Sequence, residues 1–351
     1  MRMSNDIPGW VHIGEPSVRQ GWVLAGVIHW WQEKFTHRLH RYTSRSPYSL
    51  RYILVKEIGI VVVYGVDFTS TPRAQKPITC AECMVTGSSL KIEQIKQFAT
   101  LGDFEVFLDT PGPWIGGFDF PFGLSRTLIT GLGWDTEWKG YVAHAGTMSR
   151  NALGEIFKGY RDSKPQGQKQ PKRATDEQAD SCSPMMWYGV PVGKMFHEGA
   201  TRLLRADVDV VPCYRRGDSR VAIEVYPALV ARRFTAGAGY KNDMPRKQTL
   251  AQRDNRQRIL NGIQSPALQE SYGISVAIEH AHATLMVAEP MADRLDAVLC
   301  AIQAAWAHLQ RGVGYGIPKE CDLAEGWIVD PGMIETPLPT RPCHPWHPSN
   351  P

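Results

Sequence analysis

The chain has 351 residues, 43% of them hydrophobic and 21% charged, which are globular values and exclude wholesale disorder. Thirty-nine Lys and Arg stand against 35 Asp and Glu, a formal charge of +4, too mild to argue for nucleic acid by itself. Seven Cys make no disulfide scaffold and their odd number fits a reducing compartment; no apolar run reaches the ~18 residues of a membrane helix, and Trp22 to Ile28 lacks the cleavage site of a signal peptide. The expectation is a cytoplasmic protein without membrane association. At ~150 residues per domain, it comprises about two domains or one large α/β domain with an insertion.

Residues 1–56 differ from the rest. Trp10, Trp22, Trp30 and Trp31, with a basic stretch from Lys34 to Arg45, show no clean period and predict a poorly ordered extension. The rival reading is a basic arm on an anionic partner. The core begins at Ile58. Ile58 to Asp67 is a continuous β-branched run, the signature of a strand buried on both faces. Ile78 to Val85 and Leu90 to Ile95 read as two strands joined by a Gly87-Ser88-Ser89 turn. Phe98, Leu101, Phe104, Phe107 and Leu108 fall at helical spacing, and Trp114 to Asp119 forms a short fourth strand.

Residues 121–220 are expected to be a mainly helical insertion. Within it, Lys158 to Ser183 is polar and reads as a long flexible loop; Lys158 to Arg173 carries six Lys and Arg against one Asp, Asp162. A fifth strand follows at Val221 to Tyr226. Lys247 to Ile263 reads as a charged helix. Leu295, Val298, Leu299, Ile302, Trp306 and Leu309 mark the clearest amphipathic helix. The expected domain runs over 57–335, and 336–351 is a Pro-rich tail.

Three acidic residues sit where apolar strands run out: Asp67, Asp119 and Glu224. Asp293 and Asp296 lie at the start of the amphipathic helix. A carboxylate at the end of a buried strand is costly unless paired or bound to metal, and ligands of open α/β sheets gather beyond strand ends. Singly, each has a structural reading as a turn or a cap. Together, their order fits a sheet that collects four acidic groups around divalent metal.

Tyr64-Gly-Val-Asp-Phe-Thr-Ser70, Gly117-Phe-Asp-Phe-Pro-Phe-Gly123, Glu224-Val-Tyr-Pro227, Asp296-Ala297 with its Ala-rich helix, and Glu325-Gly-Trp-Ile-Val-Asp-Pro331 resemble the domain of unknown function 429 family. That family is classed as predicted ribonuclease H-like nucleases. The resemblance runs from about Val63 to Pro331. It implies an α/β fold with a ribonuclease H-like mixed sheet flanked by helices, and a metal-dependent nuclease. It also implies that Asp67, Asp119, Glu224 and Asp296 are catalytic metal ligands, with Asp293 competing for the last role.

Two hard divalent ions can activate water and neutralise charge on a phosphodiester, and clustered carboxylates suit Mg²⁺ or Mn²⁺. On this reading Asp67 bridges both ions, Asp119 and Glu224 each complete one side, and Asp296 holds the second ion. Asp296 is preferred to Asp293 because it shares a small-residue face with Ala297, Cys300 and Ala304; Asp293 is then the helix cap. The expected partner is nucleic acid, DNA or RNA. Arg161, Lys164, Lys169, Lys172 and Arg173 are candidate phosphate contacts, against a plain solvated linker. Lys194 follows a Gly and is a further candidate, although Gly189 to Met195 is no P-loop. Trp187, Tyr188 and Phe196 are candidates to stack on bases, against the commoner reading of core aromatics. Lys241, Arg246, Lys247, Arg253 and Arg256 read as a solvated helix face or a polyanion contact.

Cys80 and Cys83 have CxxC spacing, but on a strand their thiols point to opposite faces. Cys343, His344 and His347 fall in the tail. Two rival functions remain. An actin-like phosphotransferase or ATPase wants a Gly-rich loop after the first strand, where this chain has Phe-Thr-Ser-Thr-Pro. A non-catalytic nucleic-acid-binding relative has no need of all four acidic positions.

Overall fold

Ile60–Asp67 forms β1, the strand on which the sheet is built. Seven of its eight residues are buried, because helices cover both of its faces. The computed structural model describes residues 59–334, so the expected N-terminal extension, the Pro-rich tail and its Cys343, His344 and His347 lie outside the described residues. β1 pairs antiparallel with β2 (Ile78–Thr86), from Ile60 opposite Thr86 to Asp67 opposite Thr79. β2 turns at Gly87, whose φ of 60° suits a residue without Cβ, into β3 (Ser89–Phe98). A register shift between Glu82 and Cys83 interrupts the β2–β3 ladder.

The other side of β1 is parallel. β4 (Trp114–Phe118) pairs with β1, Val66 opposite Phe118. β6 (Arg220–Glu224) pairs with β4, Phe118 opposite Glu224. Two three-residue strands close the edges: β5 (Asp209–Val211) beside β6, and β7 (Ser275–Ala277) beside β3. The fold is thus α/β, a mixed seven-stranded sheet in the order β5-β6-β4-β1-β2-β3-β7.

Between β3 and β6 the helices are α1 (Leu101–Leu108), α2 (Arg126–Gly131), α3 (Trp138–Gly146), α4 (Arg150–Asp162), α5 (Ala174–Ala179) and α6 (Val192–Ala206). After β6 come α7 (Pro227–Thr235), α8 (Leu250–Ile263), α9 (Pro266–Tyr272), α10 (His280–Ala288) and α11 (Asp293–Leu309).

The core has two layers. On one face Tyr64, Val66, Phe118 and Ala222 meet an aromatic layer from α1 and the segment after β4. Phe68 lies 4.7 Å from Phe120, and Tyr64 packs edge-on to Phe107 at 4.9 Å. Each such ring contributes roughly 1.5–3 kcal/mol on burial. On the other face Val63, Ile115 and Ile223 meet α11. The approach there is unusually close. A Cβ on Gly65 would stand 2.0 Å from the Ala297 carbonyl oxygen, and one on Gly117 2.6 Å from that of Cys300. Two glycines in adjacent strands thus admit the Ala-rich face of α11 onto the sheet backbone. This places the first turn of α11 beside the carboxyl ends of β1 and β4.

Most elements fall where the sequence predicts them, with differences at their ends. The strand expected from Ile58 is described from Ile60. Phe98, read as helical, ends β3, and α1 begins only after the Thr100 capping box with Asp103. The fifth strand stops at Glu224 rather than Tyr226, because Pro227 opens α7. α8 begins at Leu250, capped by Thr249, not at Lys247. The segment 158–183 is no continuous loop. α4 runs on to Asp162 and α5 occupies Ala174–Ala179, so only about ten residues between them lack regular structure.

Candidate functional site

Asp67 is the last residue of β1, and Asp119 follows the last residue of β4. The ladder ties them together: the Asp119 amide donates to the Val66 carbonyl at 3.0 Å. Side chains alternate along a strand, so Asp67 and Asp119 continue the face of Val63, Gly65 and Gly117, toward α11. Asp296, in the first turn of α11 and fully buried, acts electrostatically on both. Three carboxylates from three elements, two neighbouring strand ends and one helix, are thus near enough to act on one another's charge.

The electrostatics follow from that crowding. Burial first, then Asp296, Asp293 and Asp119, raise the Asp67 carboxyl well above the usual range, with Lys241 opposing. Asp119 is pushed up to about 7 by burial, with Asp296 and Glu224 adding and Lys241 opposing. Like charges in a desolvated site favour retention of a proton.

Asp296 has two partners. The Tyr240 hydroxyl donates to its Oδ1 at 2.6 Å, and the Lys241 ammonium contacts its Oδ2. Burial works to lower the Lys241 pKa, but Asp296, Tyr240 and Asp67 outweigh it and hold the ammonium well above its ordinary value. The Lys241 side chain is still 43% exposed, so the cluster has a route to solvent. A cavity of about 240 Å³ lies beside it, lined by Arg232, Thr235, Gly237, Tyr240 and Lys241 among others.

The structure does not bring Glu224 into this group. It pairs with Phe118 across β4 and β6, so its side chain takes the opposite face from Asp119. There its two oxygens are engaged by the Arg173 guanidinium at 2.6 and 2.9 Å and by the Phe122 amide at 2.9 Å. Burial raises its pKa, and Arg173 opposes the rise. Its charge is felt at Asp119, but its carboxyl is held by the protein.

Asp293 stands next to the cluster rather than in it. Its Oδ1 accepts from the Lys76 ammonium at 2.6 Å, which also reaches Asp243 at 3.1 Å. The helix cap expected of Asp293 is taken by Ala292, in a left-handed conformation and without a side-chain cap bond. Asp293 is the first residue of α11, where a negative charge is favourable.

Arg173 departs furthest from its expected place in a flexible basic loop. It is 1% exposed, precedes α5, and pairs with Asp176 at 2.8 Å as well as Glu224. A buried guanidinium with two carboxylate partners is a structural ion network. Of the other expected phosphate contacts, Arg161 pairs with Asp162 at the end of α4, and Lys164 sits over the Tyr160 ring. Lys169 and Lys172 lie on the short segment between α4 and α5, Lys169 exposed and Lys172 half-buried. Lys194, on α6, faces the Trp187 and Tyr188 rings. None of these is drawn to the three carboxylates.

The aromatics divide. Phe196 is core, stacked on Tyr141, and Trp187 packs edge-on to Phe157. Tyr188 is exposed. Of the later basic residues, Arg256 is buried and binds the carbonyls of Tyr240 and Val287. Cys80 and Cys83 are free, buried and in opposite core layers.

Two site residues escaped the sequence reading, Tyr240 as a partner of Asp296 and Lys241 as its counter-charge. Their only signal was their place just after Gly237-Ala238-Gly239 and ahead of a capped helix.

Among the described residues no three His, Cys, Asp or Glu are grouped so as to hold a metal ion. The donor set nonetheless has the right chemistry. Asp67, Asp119 and Asp296 offer only hard oxygen atoms, the ligands that Mg²⁺ and Mn²⁺ select. The Lys241 ammonium acts on all three, and the Lys76 ammonium is felt at Asp67 as well. No helix among the described residues is long and apolar enough to cross a membrane.

The model of a family described as a protein of unknown function, DUF429, matches residues 65–322. This span holds Asp67, Asp119, Glu224, Lys241 and Asp296, and the chain belongs to that family. No curated protein and no solved structure matches the chain.

Proposed function

We propose that this protein is a ribonuclease H-like, divalent-metal-dependent nuclease whose site is formed by Asp67, Asp119 and Asp296. The single observation that carries the reading is that these carboxylates, at neighbouring parallel strand ends and in the first turn of α11, act on one another's charge in a buried setting. Such a cluster is costly unless a cation answers it. The fold reading is supported by a mixed sheet in which an antiparallel β1-β2-β3 meander continues into parallel β4 and β6.

In this reading Asp67, Asp119 and Asp296 would hold Mg²⁺ or Mn²⁺. When bound, the ion supplies Lewis-acid stabilisation of the phosphate and an activated water. The chain's own residues do the rest. Tyr240 fixes the orientation of Asp296 through Oδ1. The close packing at Gly65 and Gly117 sets the depth of α11. Glu224 and Arg173 brace the segments behind Asp119. The cavity lined by Tyr240 and Lys241 offers room for part of a substrate beside the two residues that contact Asp296. Nucleic acid, DNA or RNA, is the proposed substrate.

The test is cleavage of a labelled panel of single- and double-stranded DNA and RNA with Mn²⁺ or Mg²⁺. Asp67→Asn serves as the control, since it removes a charge while keeping the shape of the strand. Metal-dependent cleavage lost in Asp67→Asn supports the reading. Equal cleavage by both proteins, or none under any condition, counts against it.

A further inference from the structure

We propose that Lys241 is a built-in counter-cation of the carboxylate site and competes with a divalent ion for it. The proposal rests on the metal reading above. Its first ground is contact: the Lys241 ammonium touches Asp296 and acts electrostatically on both Asp67 and Asp119. One ammonium thus answers all three converging carboxylates.

The second ground is the way the residue is held. α8 clamps three successive backbone carbonyls ahead of it and at it. Asn255 donates to Gly239 O at 2.8 Å, Arg256 to Tyr240 O at 2.8 Å, and Gln252 to Lys241 O at 3.2 Å. Gln252 also closes the capping box of α8 by accepting from the Thr249 amide at 3.0 Å. The backbone at 239–241 is therefore fixed, while the Lys241 side chain keeps four rotatable bonds.

The third ground is that the ammonium has somewhere to go. The side chain is 43% exposed and lines the neighbouring cavity. A divalent ion entering the cluster can displace the ammonium toward the cavity without unfolding the clamp. One ammonium against three crowded carboxyl groups is an incomplete match, so a dication is the better answer at a site of this kind. The protein then stays folded without metal and gives the site up when metal arrives.

The experiment is calorimetric titration of Mn²⁺ into the full chain as wild type, Lys241→Met and Lys241→Gln. Melting in EDTA and in Mn²⁺ accompanies it. Both variants should bind Mn²⁺ about tenfold more tightly, the factor expected if the ammonium occupies the site ~90% of the time. They should melt lower than wild type in EDTA and gain more from Mn²⁺. If wild type binds Mn²⁺ and the variants bind equally or more weakly, the competition is overturned, and Lys241 instead holds Asp296 ready for the ion. If none of the three proteins binds Mn²⁺, the metal reading falls and the competition falls with it.

Discussion

Gly65 lies directly beneath Ala297. A Cβ at Gly65 would stand 2.0 Å from the Ala297 carbonyl oxygen and 2.2 Å from the Ala301 amide nitrogen, both of them backbone atoms that cannot rotate away. The distance from Asp296 to Asp67 and Asp119 depends on that contact. Gly65→Ala should therefore destabilise by about 3 kcal/mol or more, at the upper end for an overpacked core. Gly102→Ala, in α1, meets nothing closer than the Thr100 hydroxyl at 3.7 Å and should be neutral or stabilising by up to ~1 kcal/mol. Urea unfolding of the two variants checks the contrast. Equal effects would mean that α11 is not seated on β1 as described.

The Arg173 network gives a second prediction. Arg173→Met leaves Glu224 and Asp176 as buried carboxylates without their common partner. Loss of one member of a buried ion pair costs about 3–5 kcal/mol. The variant should show a large fall in chemical stability. Lys172→Met, one residue away and half-buried, should change stability by less than ~1 kcal/mol. Comparable losses in the two variants would contradict the buried role of Arg173.

The raised pKa of Asp119 predicts a pH dependence without metal. In the unfolded chain this carboxyl loses its proton near 3.8, and in the native site near 7. Between those values the native state binds the extra proton, so stability falls as pH rises through the window. Asp119→Asn should flatten this slope and gain on the order of 1–3 kcal/mol at pH 8 in EDTA. The measurement is urea unfolding of both proteins from pH 4.5 to 8. A wild type whose stability rises across the window, with no gain in the variant, would show that the carboxyl is not crowded.

On the proposed reading, Asp293 and Asp296 should separate by function. Asp293→Asn removes the Lys76 pair at the entry to α11 and should cost about 1 kcal/mol. It should leave the response to Mn²⁺ in place. Asp296→Asn should abolish that response. Melting curves with and without Mn²⁺ distinguish the two, and loss of the response in Asp293→Asn alone would reverse the assignment.

Much of the α/β frame was legible because its signals are local. A continuous β-branched run marked β1, and turn residues marked the β2–β3 hairpin. Helical spacing marked α11, and strand-end position singled out Asp67 and Asp119. The small-residue face of Ala297, Cys300 and Ala304 chose Asp296 over Asp293, and Gly65 and Gly117 receive that face. β5 and β7 are three residues each and carry no period. Glu224 shares the strand-end position of Asp67 and Asp119 but not their parity. Strand-end position says nothing of facing, and the register with Phe118 turns Glu224 away from Asp119. Arg173 looked like part of a solvated basic run because its partners are distant in sequence or hidden in a short helix. Lys241 and Tyr240 reach Asp296 across 55 and 56 residues, a closure that only the packing of α8 and α11 reveals.

The central claim is that Asp67, Asp119 and Asp296 form one cation site. Its most direct test is the melting temperature of wild type and Asp67→Asn across a Mn²⁺ titration. A ligand that binds only the native state stabilises it by about 2.7 kcal/mol at 100 times its dissociation constant. Wild type should therefore rise steadily in melting temperature with Mn²⁺, while Asp67→Asn stays nearly flat and starts no lower in EDTA. An equal rise in both proteins, or none in wild type, would contradict the account.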